Sequence, residues 1–302
     1  MNKEVKKIKY PGAVAVDSTG TLYTASLLET CIFKRTLTGE MKILADTEFY
    51  VGSLAVDSKD NVYVAVSSNN QIRKITSSGI INVFVGDGEP GFKDGTASVA
   101  QFNYPCGVAV DSSGNVYVAD SYNERIRKIT PAGVVSTLAG SGEEGFIDGS
   151  SSTAQFNTPC GVAVDSSGNV YVADSANHRI RKITPSGIVN TFAGSGKQGF
   201  KDGTGSTAQF NYPYGIAVNP KDNIYVADTY NCRIREITPA GVVSTLAGSG
   251  EEGFIDGSSD VAQFDYPMGI SVDSKNNVYI ADHYNHRIRR IKPNGIVMTN
   301  VF

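Results

Sequence analysis

Four aspartates recur in one loop phrase, G-F-x-D-G-x4-A-Q-F, as Asp94, Asp148, Asp202 and Asp256. A loop carboxylate suggests Ca²⁺ binding, but no second or third carboxylate follows at the spacing of a calcium loop. Identical surroundings also cannot push two carboxylate pKa values apart, as acid and base roles in catalysis require. The side chain of an Asp that precedes Gly and then Ser or Thr can accept hydrogen bonds from the backbone N–H groups of its own turn. We therefore predict structural turns here, with no metal and no cofactor, and expect the nearby Ala and Phe to anchor each loop.

A second recurring group reads D-x-x-N-x-R, first as Asp120, Asn123 and Arg125. Asp and Asn at these positions are typical turn formers, and the arginines would be paired or solvated. The alternative is an anion-binding arc formed by Arg125, Arg179, Arg233 and Arg287. Nucleic acid is disfavoured as that anion, because the formal charge is −3 and the neighbouring loops carry acidic pairs such as Glu143 with Glu144.

Other residue types that do chemistry are few. The histidines are His178, His283 and His286, all in predicted turns, where they should be solvated and should not converge on one ion. Cys106 and Cys160 occupy equivalent places in neighbouring repeats and are expected at or beyond disulfide reach. Cys31 and Cys232 are placed in turns, so the four cysteines form no disulfide framework. No G-x-S-x-G elbow occurs, and we predict no catalytic residue.

These groups recur because the chain is a repeat array. The segment TPAGVVSTLAGSGEEGFIDGSS occurs twice, at residues 130–151 and 238–259. Aligning the phrase GVAVD places its last residue at Asp17, Asp57, Asp111, Asp165, Asn219 and Asp273. The steps are 40, 54, 54, 54 and 54 residues, so six copies of one unit fill the chain.

Each unit reads as four short strands. In the third copy we predict strands over residues 105–111, 115–120, 125–130 and 133–140, separated by turn residues. A small antiparallel sheet with two apolar faces must be covered on both sides. Six such sheets cover each other by closing into a ring, which predicts an all-β, six-bladed β-propeller with four antiparallel strands per blade. The Ala of GVAV, or Ser271 in the sixth copy, would fit the crowded axis.

We treat residues 1–302 as a single domain. The blades are predicted at about 11–46, 51–86, 105–140, 159–194, 213–248 and 267–302, each complete within its own copy. The N-terminal segment VKKIK is a candidate for an additional strand at an outer edge.

The repeated phrases P-x-G-V-A-V-D, G-N-V-Y-V-A-D and N-x-R-I-R-K-I resemble the NHL repeat. The resemblance covers essentially the whole chain, is close in copies three to six and is degraded in copy one. It implies a six-bladed propeller that serves as a binding platform. It also leaves two alternatives, because some propellers of this kind are metal-dependent lyases or lactonases that use the central channel, and some NHL propellers bind RNA.

Residues that differ between copies are the best guide to a ligand without six-fold symmetry. At the start of the innermost strand, near the channel mouth, the copies carry Gly12, Gly52, Cys106, Cys160, Tyr214 and Met268. In the turn between the second and third strands they carry Leu28, Ser68, Tyr122, Ala176, Tyr230 and Tyr284. Exposed tyrosines suit recognition, although these residues could equally pack against the long loops.

From these residues we predict a non-enzymatic binding platform that presents its long-loop face to a protein, peptide or glycan. The candidate contacts are Cys106, Cys160, Tyr214, Met268, Tyr122, Tyr230 and Tyr284, together with the four arginines named above. A monomer is expected. No run of eighteen apolar residues could span a membrane. The first ten residues lack an apolar signal core, which leaves the compartment open and is compatible with a mature secreted or periplasmic form.

Overall fold

The computed structural model describes residues 8–26, 28, 30–47, 49 and 51–300. Six sheets, each of four antiparallel strands that follow one another in chain order, form a six-bladed β-propeller. The predicted all-β class and blade number are therefore confirmed. Pro and Gly bound the strands and β-branched residues fill them, which is the composition that short, half-buried strands favour.

The strands of each blade run from the channel outwards. Blade 1 consists of Pro11–Val16, Leu22–Ser26, Cys31–Arg35 and Met41–Asp46. Blade 2 consists of Ser53–Val56, Val62–Val66, Gln71–Ile75 and Ile81–Val85. Blade 3 consists of Pro105–Val110, Val116–Asp120, Arg125–Ile129 and Val135–Ala139. Blade 4 consists of Pro159–Val164, Val170–Asp174, Arg179–Ile183 and Ile188–Ala193. Blade 5 consists of Pro213–Val218, Ile224–Asp228, Arg233–Ile237 and Val242–Ala247. Blade 6 consists of Pro267–Val272, Val278–Asp282, Arg287–Ile291 and Val297–Asn300.

Short 3-10 turns join the second and third strands of blades 2 to 5. They are Ser67–Asn69, Ser121–Asn123, Ser175–Asn177 and Thr229–Asn231. None of the helical segments among the described residues has the length and apolar character that crossing a membrane requires.

The inner strands of adjacent blades touch at the channel. A Cβ placed on Gly107 would lie 2.0 Å from the carbonyl oxygen of Cys160, so only glycine fits there. The channel is lined by this glycine and the residue that follows it, Val108 in blade 3. The prediction that Ala lines the axis is wrong, because Ala109 instead packs between blades beside Tyr117.

Hydrophobic cores lie between neighbouring blades. The core between blades 3 and 4 combines Tyr117 and Ala119 of one sheet with Val170 and Val172 of the next. The loop that joins the two blades adds Phe156, which is fully buried. Burying one such side chain contributes about 1.5–3 kcal/mol, so the predicted anchoring of the loops by Phe is confirmed.

The long loops reach the outer edge of the blade that follows them. Gly149–Ser150 forms a fifth strand against the outer strand of blade 4, and Gly203–Thr204 does the same in blade 5. Single bridges from Gly95 to Val135 and from Gly257 to Val297 repeat this contact in blades 3 and 6. Each loop therefore covers an edge strand that would otherwise present unpaired backbone groups.

Blades 6 and 1 close the ring by packing. A Cβ on Gly269 would lie 2.8 Å from Ala13 Cα, and the backbone N–H of Val16 donates to Ser271 Oγ at 3.2 Å. The predicted N-terminal edge strand falls mostly outside the described residues, since only residues 8 and 9 of that segment are described and neither belongs to a strand.

Candidate binding face

In blades 2 to 6 the turn between the second and third strands fastens the blade to the next one. In blades 2 to 5 its first hydroxyl donates to the proline carbonyl that starts the next inner strand, as Ser121 does to Pro159 at 2.5 Å. Its last residue lies in the left-handed region and accepts the N–H of the residue before that proline, as Glu124 Oε2 does from Thr158 at 2.7 Å. We call these acceptors the clasp residues: Asn70, Glu124, His178 and His286. In blade 5 Cys232 occupies the same position.

Two neighbouring clasps have pKa values shifted in opposite directions. Burial raises the pKa of Glu124 to about 7; the Thr158 N–H opposes this rise, and the nearby carboxylates of Asp174 and Glu144 add to it. Burial, with a smaller contribution from Arg179, lowers the pKa of His178. Each shift favours the neutral form, because the clasp lies in a half-buried seam between blades.

The prediction that the turn histidines are solvated is wrong. His178 Nδ1 accepts from Tyr212 N at 3.2 Å and His286 Nδ1 from Tyr10 N at 3.0 Å. His283 is buried beside the Pro11 carbonyl, at 3.2 Å, and burial lowers its pKa. In the part of the chain that the structure describes, no three His, Cys, Asp or Glu side chains converge as metal ligands.

A chain of tyrosine side chains runs along this face from blade 5 to blade 1. We call it the tyrosine arc, and it consists of Tyr212, Tyr230, Tyr266, Tyr284 and Tyr10. Successive ring centroids are 5.1, 5.1, 5.1 and 6.4 Å apart. Tyr230 and Tyr284 remain 55% and 51% exposed. The arc therefore offers a continuous aromatic surface to solvent.

Two positions of the repeat supply the arc. Tyr230 and Tyr284 come from the turn that sequence analysis identified. Tyr10, Tyr212 and Tyr266 precede a proline and have φ of 49°, 48° and 55°, and the clasp bonds help to hold this left-handed backbone. Sequence analysis missed these three tyrosines, although the recurring phrase Y-P could have indicated them.

Tyr122, the remaining predicted turn tyrosine, lies apart from the arc. It is 60% exposed and stacks on Tyr104 with ring centroids 4.7 Å apart. Both rings line a cavity of about 380 Å³ at the channel mouth. The face thus has the arc on one side and this stacked pair on another, with Thr158 and Ala176 between them.

The mouth cavity contains all four residues predicted at the start of the inner strands. Cys106, Cys160, Tyr214 and Met268 line it, although the two cysteines and the methionine are 3%, 6% and 7% exposed. Tyr214 Oη lies 2.8 Å from Cys106 Sγ, two blades away. The predicted location near the mouth is therefore correct, while a role of these residues in ligand binding stays a prediction.

Cys106 and Cys160 begin inner strands of blades 3 and 4 that touch at Gly107, and both side chains line the mouth cavity. Both thiols are free. Of the other two cysteines, Cys232 lies in a turn as predicted, whereas Cys31 begins a strand.

The four predicted ligand arginines are packed against phenylalanines of the long loops. The Arg125 guanidinium lies 3.7 Å from the ring centroid of Phe92 and donates to the carbonyls of Ser141 and Asn123 at 2.6 and 2.9 Å. Gly142 beside it has a φ of 90°, and a Cβ there would lie 2.1 Å from Arg125 Nη1, so a side chain at this position would displace the stacked guanidinium. Arg179, Arg233 and Arg287 stack in the same way. Ligand binding by these arginines stays a prediction.

The repeated loop aspartate is structural, but not through the predicted self-capping turn. Asp94 Oδ1 pairs with Arg127 Nη2 at 2.6 Å, and its Oδ2 accepts from Thr137 N at 3.0 Å. These bonds tie the loop to the blade that follows. Asp148, Asp202 and Asp256 repeat them.

The prediction that Asp120 is a simple turn former is also wrong. Its carboxylate is fully buried and accepts from Asn103 N, Asn123 Nδ2 and Arg127 Nη1 at 2.8, 2.8 and 2.7 Å. Each of blades 3 to 6 has this arrangement. In blade 6 burial, only partly offset by Arg289, raises the pKa of Asp282 to about 6, so the pair remains ionic at neutral pH.

Sequence analysis missed the buried arginines at the centre of this network. They are Arg127, Arg181, Arg235 and Arg289, each with no exposed surface. A comparison of the copies could have indicated them. Blade 1 has Ser26 and Phe33 at the places of Asp120 and Arg127, and blade 2, which follows a short connection, has Val66 at the place of Asp120, so the buried aspartate accompanies the long loop.

Known proteins share both the repeat and the fold. The family model of the NHL repeat matches residues 102–129, 156–183, 210–237 and 264–291, which lie in copies three to six. The chain is 31% identical over 264 residues to Protein SUPPRESSOR OF QUENCHING 1, chloroplastic, of Arabidopsis thaliana, covering 81% of this chain and 25% of that protein. It is 30% identical over 281 residues to human NHL repeat-containing protein 2, covering 81% and 39%.

A solved structure shows the same architecture. A protein of unknown function from Bacteroides thetaiotaomicron superimposes with a TM-score of 0.76 at 21% identity, over 95% of this chain and 70% of that one. At this identity the likeness concerns the fold alone. The chain spans a quarter and about two fifths of the two relatives named above.

Proposed function

Because this chain is a six-bladed β-propeller built from NHL repeats, we propose that it is a non-enzymatic binding platform whose main contact surface is the tyrosine arc. The ligand is a segment of a protein, peptide or glycan that lies along the arc beside the channel mouth. The arc carries this proposal, because it is a continuous aromatic surface on a face where the blades otherwise differ in sequence.

Tyrosine suits such a surface for two physical reasons. Each ring offers a large apolar area at a low cost in conformational entropy, and its hydroxyl supplies a polar tip for hydrogen bonds. The arc covers one side of the face, whereas Ser68 and Ala176 occupy the corresponding turn positions of blades 2 and 4. A ligand would therefore be bound in one orientation, despite the six-fold repetition of the scaffold.

The charges near the arc favour an uncharged or weakly charged ligand over nucleic acid. Glu251 and Glu252 are exposed in the loop that leads to Tyr266. The guanidinium of Arg233 in the same blade donates to the Asn231 and Ser249 carbonyls. Acidic groups beside a surface with engaged arginines oppose phosphate attraction.

The residues that line the channel fit a binding platform better than they fit a metal-dependent lyase or lactonase. The described residues that line it are glycines with Ala13, Val14, Ser53, Leu54, Val108, Val162, Ile216, Ile270, the two cysteines and Tyr214. A metal-dependent lyase or lactonase would need carboxylate, histidine or amide side chains to hold an ion in the channel, and none of the described lining residues is of these types. The binding proposal therefore rests on the tyrosine arc beside the channel mouth rather than on the channel itself.

The test is a screen of the purified chain against glycan and peptide arrays, with a mixed-sequence RNA as a third ligand class. The affinity of each hit is then measured for the wild type and for Tyr230→Ala. We expect a loss of tenfold or more, since aromatic hot spots contribute about 2 kcal/mol or more. The matched control is Val83→Ser, which changes a half-exposed side chain in blade 2 and should leave affinity unchanged. Equal effects of the two substitutions, or binding of RNA alone, would contradict the proposal.

A further inference from the structure

The mouth cavity contains a pair of thiols supplied by neighbouring blades. Cys106 and Cys160 begin the inner strands of blades 3 and 4, at equivalent positions. A Cβ on Gly107, the residue after Cys106, would lie 2.0 Å from the Cys160 carbonyl oxygen. This close approach of two backbones places the two cysteines side by side, and both line the mouth cavity.

The surroundings of the two sulfurs differ. Cys106 Sγ has Tyr214 Oη at 2.8 Å, and burial keeps the pKa of Tyr214 well above its ordinary value, so the phenol keeps its proton and can donate it to the sulfur. The Cys160 thiol, in contrast, faces the Thr158 carbonyl oxygen at 3.5 Å, which can only accept. A sulfur that receives hydrogen bonds is stabilised as a thiolate, and a sulfur that donates them stays a thiol.

The pKa directions agree with this geometry. The neighbouring Cys160 thiol lowers the pKa of Cys106, and Tyr214 adds to the effect against the opposing influence of burial. The neighbouring Cys106, together with burial, raises the pKa of Cys160. A thiolate beside a second thiol is the arrangement found at redox-sensitive cysteines.

We propose that Cys106 and Cys160 form a peroxide-sensitive dithiol that closes into a disulfide between blades 3 and 4. The Cys106 thiolate attacks one oxygen of hydrogen peroxide, the O–O bond breaks, and hydroxide leaves to form water with a proton from solvent. Cys160 then loses its proton and attacks the Cys106 sulfenic sulfur. The S–S bond forms, the S–O bond breaks and a second water leaves. The two thiols are oxidised and one peroxide is reduced to two waters.

The limited access of solvent molecules to the two thiols favours a small oxidant. The two cysteines are 3% and 6% exposed, but both line the cavity of about 380 Å³ that opens on the binding face. This space admits hydrogen peroxide more readily than a bulky disulfide. Oxidation would also remove the Cys106 thiolate that Tyr214 contacts, so it would change the channel mouth.

The proposal is tested by adding equimolar hydrogen peroxide to the reduced full chain and mapping disulfides by mass spectrometry without reduction. We expect one Cys106–Cys160 disulfide and a fall in titratable thiols from four to two. The oxidised chain should also melt at a higher temperature, because the cross-link restricts the unfolded state. In Cys160→Ser, dimedone should trap a sulfenic acid at Cys106, whereas in Cys106→Ser the Cys160 thiol should stay unmodified.

Two further variants keep the test specific. Tyr214→Phe retains the ring but removes the hydroxyl, and should slow alkylation of Cys106 by iodoacetamide several-fold in the reduced protein. Cys232→Ser removes a thiol in a distant turn and should leave disulfide formation unchanged. The proposal is overturned if no Cys106–Cys160 disulfide forms, if Cys31 or Cys232 oxidises first, or if the trapped sulfenic acid is at Cys160.

Discussion

Arg127 Nη1 lies 2.7 Å from Asp120 Oδ2, and neither side chain has any exposed surface. The arginine also binds Asp94 and the backbone carbonyls of Gln101 and Lys93. It therefore joins the second strand, the third strand and the preceding long loop. Three more blades contain the same pair, which makes this ion pair the polar centre of the repeat.

Replacing Arg127 by Leu should lower the free energy of unfolding by about 3–5 kcal/mol, because it leaves the Asp120 carboxylate buried without its counter-charge. Urea denaturation followed by circular dichroism measures the loss. The double variant Asp120→Ser with Arg127→Phe reproduces the pair that blade 1 carries and should lose less. A double variant less stable than Arg127→Leu would show that the uncompensated charge is not the cause.

Glu124→Gln should stabilise the protein at alkaline pH. Burial raises the pKa of Glu124 from 4.5 to about 7, so the stability associated with its protonated form is complete below pH 4.5 and is lost as pH rises through 7. Gln keeps the acceptor for Thr158 N and cannot ionise. After allowance for its partial exposure, we expect a gain of about 1 kcal/mol at pH 8.5 and no gain at pH 4.5. Thermal melts at both values test this, with Glu143→Gln, in an exposed part of the same loop region, as the unaffected control.

His178→Asn should have the opposite pH dependence. The folded-state pKa of His178 is lowered, so its contribution to stability is present above the unfolded pKa of about 6.5 and is lost as pH falls through the folded value. Asn suits the left-handed backbone and accepts the same bond in blade 2, where Asn70 Oδ1 receives Tyr104 N at 3.0 Å. We expect equal stability at pH 8 and an advantage below about 1 kcal/mol for the variant at pH 5. An advantage that is instead larger at pH 8 would refute this assignment.

Gly107→Ala should destabilise the channel by about 3 kcal/mol or more, because overpacking here forces two backbones apart. The added Cβ would meet the Cys160 carbonyl at 2.0 Å. Gly52→Ala is the comparison, since the nearest backbone atom to its Cβ would be the Cys106 carbonyl oxygen at 3.3 Å. Its closer contact, Ser67 Oγ at 2.7 Å, belongs to a side chain that can rotate at the cost of its hydrogen bond to the Pro105 carbonyl. The midpoints of urea denaturation compare the stability of the two variants. Similar losses of stability would contradict the prediction, because they would mean that the inner strands can separate at little cost.

Much of the fold was predictable because its determinants are local. The strands of blade 3 were expected over 105–111, 115–120, 125–130 and 133–140, and they lie within one or two residues of those ranges. Turn residues and alternating apolar residues act over a few positions, so they can be read without knowledge of the rest of the chain. The exposure of Tyr230 and Tyr284 was predictable for the same reason, because both residues lie in a turn that the local sequence indicates.

The candidate site was less predictable, since much of it is formed by contacts between blades. Nothing near Glu124 in the sequence shows that Thr158 will donate to it, and nothing near Tyr10 shows that it will continue a row begun at Tyr212. Asp120 was misread for a related reason: its short-range pattern fits a turn, but its partner Arg127 and the covering loop bury it.

The amino-acid sequence alone determined the period, the four-stranded unit and the number of blades, because each copy contains its own strands and turns. Only the tertiary structure decided which copies meet. The close packing of the inner strands placed Cys106 and Cys160 side by side at the mouth cavity and brought Tyr214 against Cys106. These relationships depend on ring closure, a property of all six blades together that no single repeat encodes.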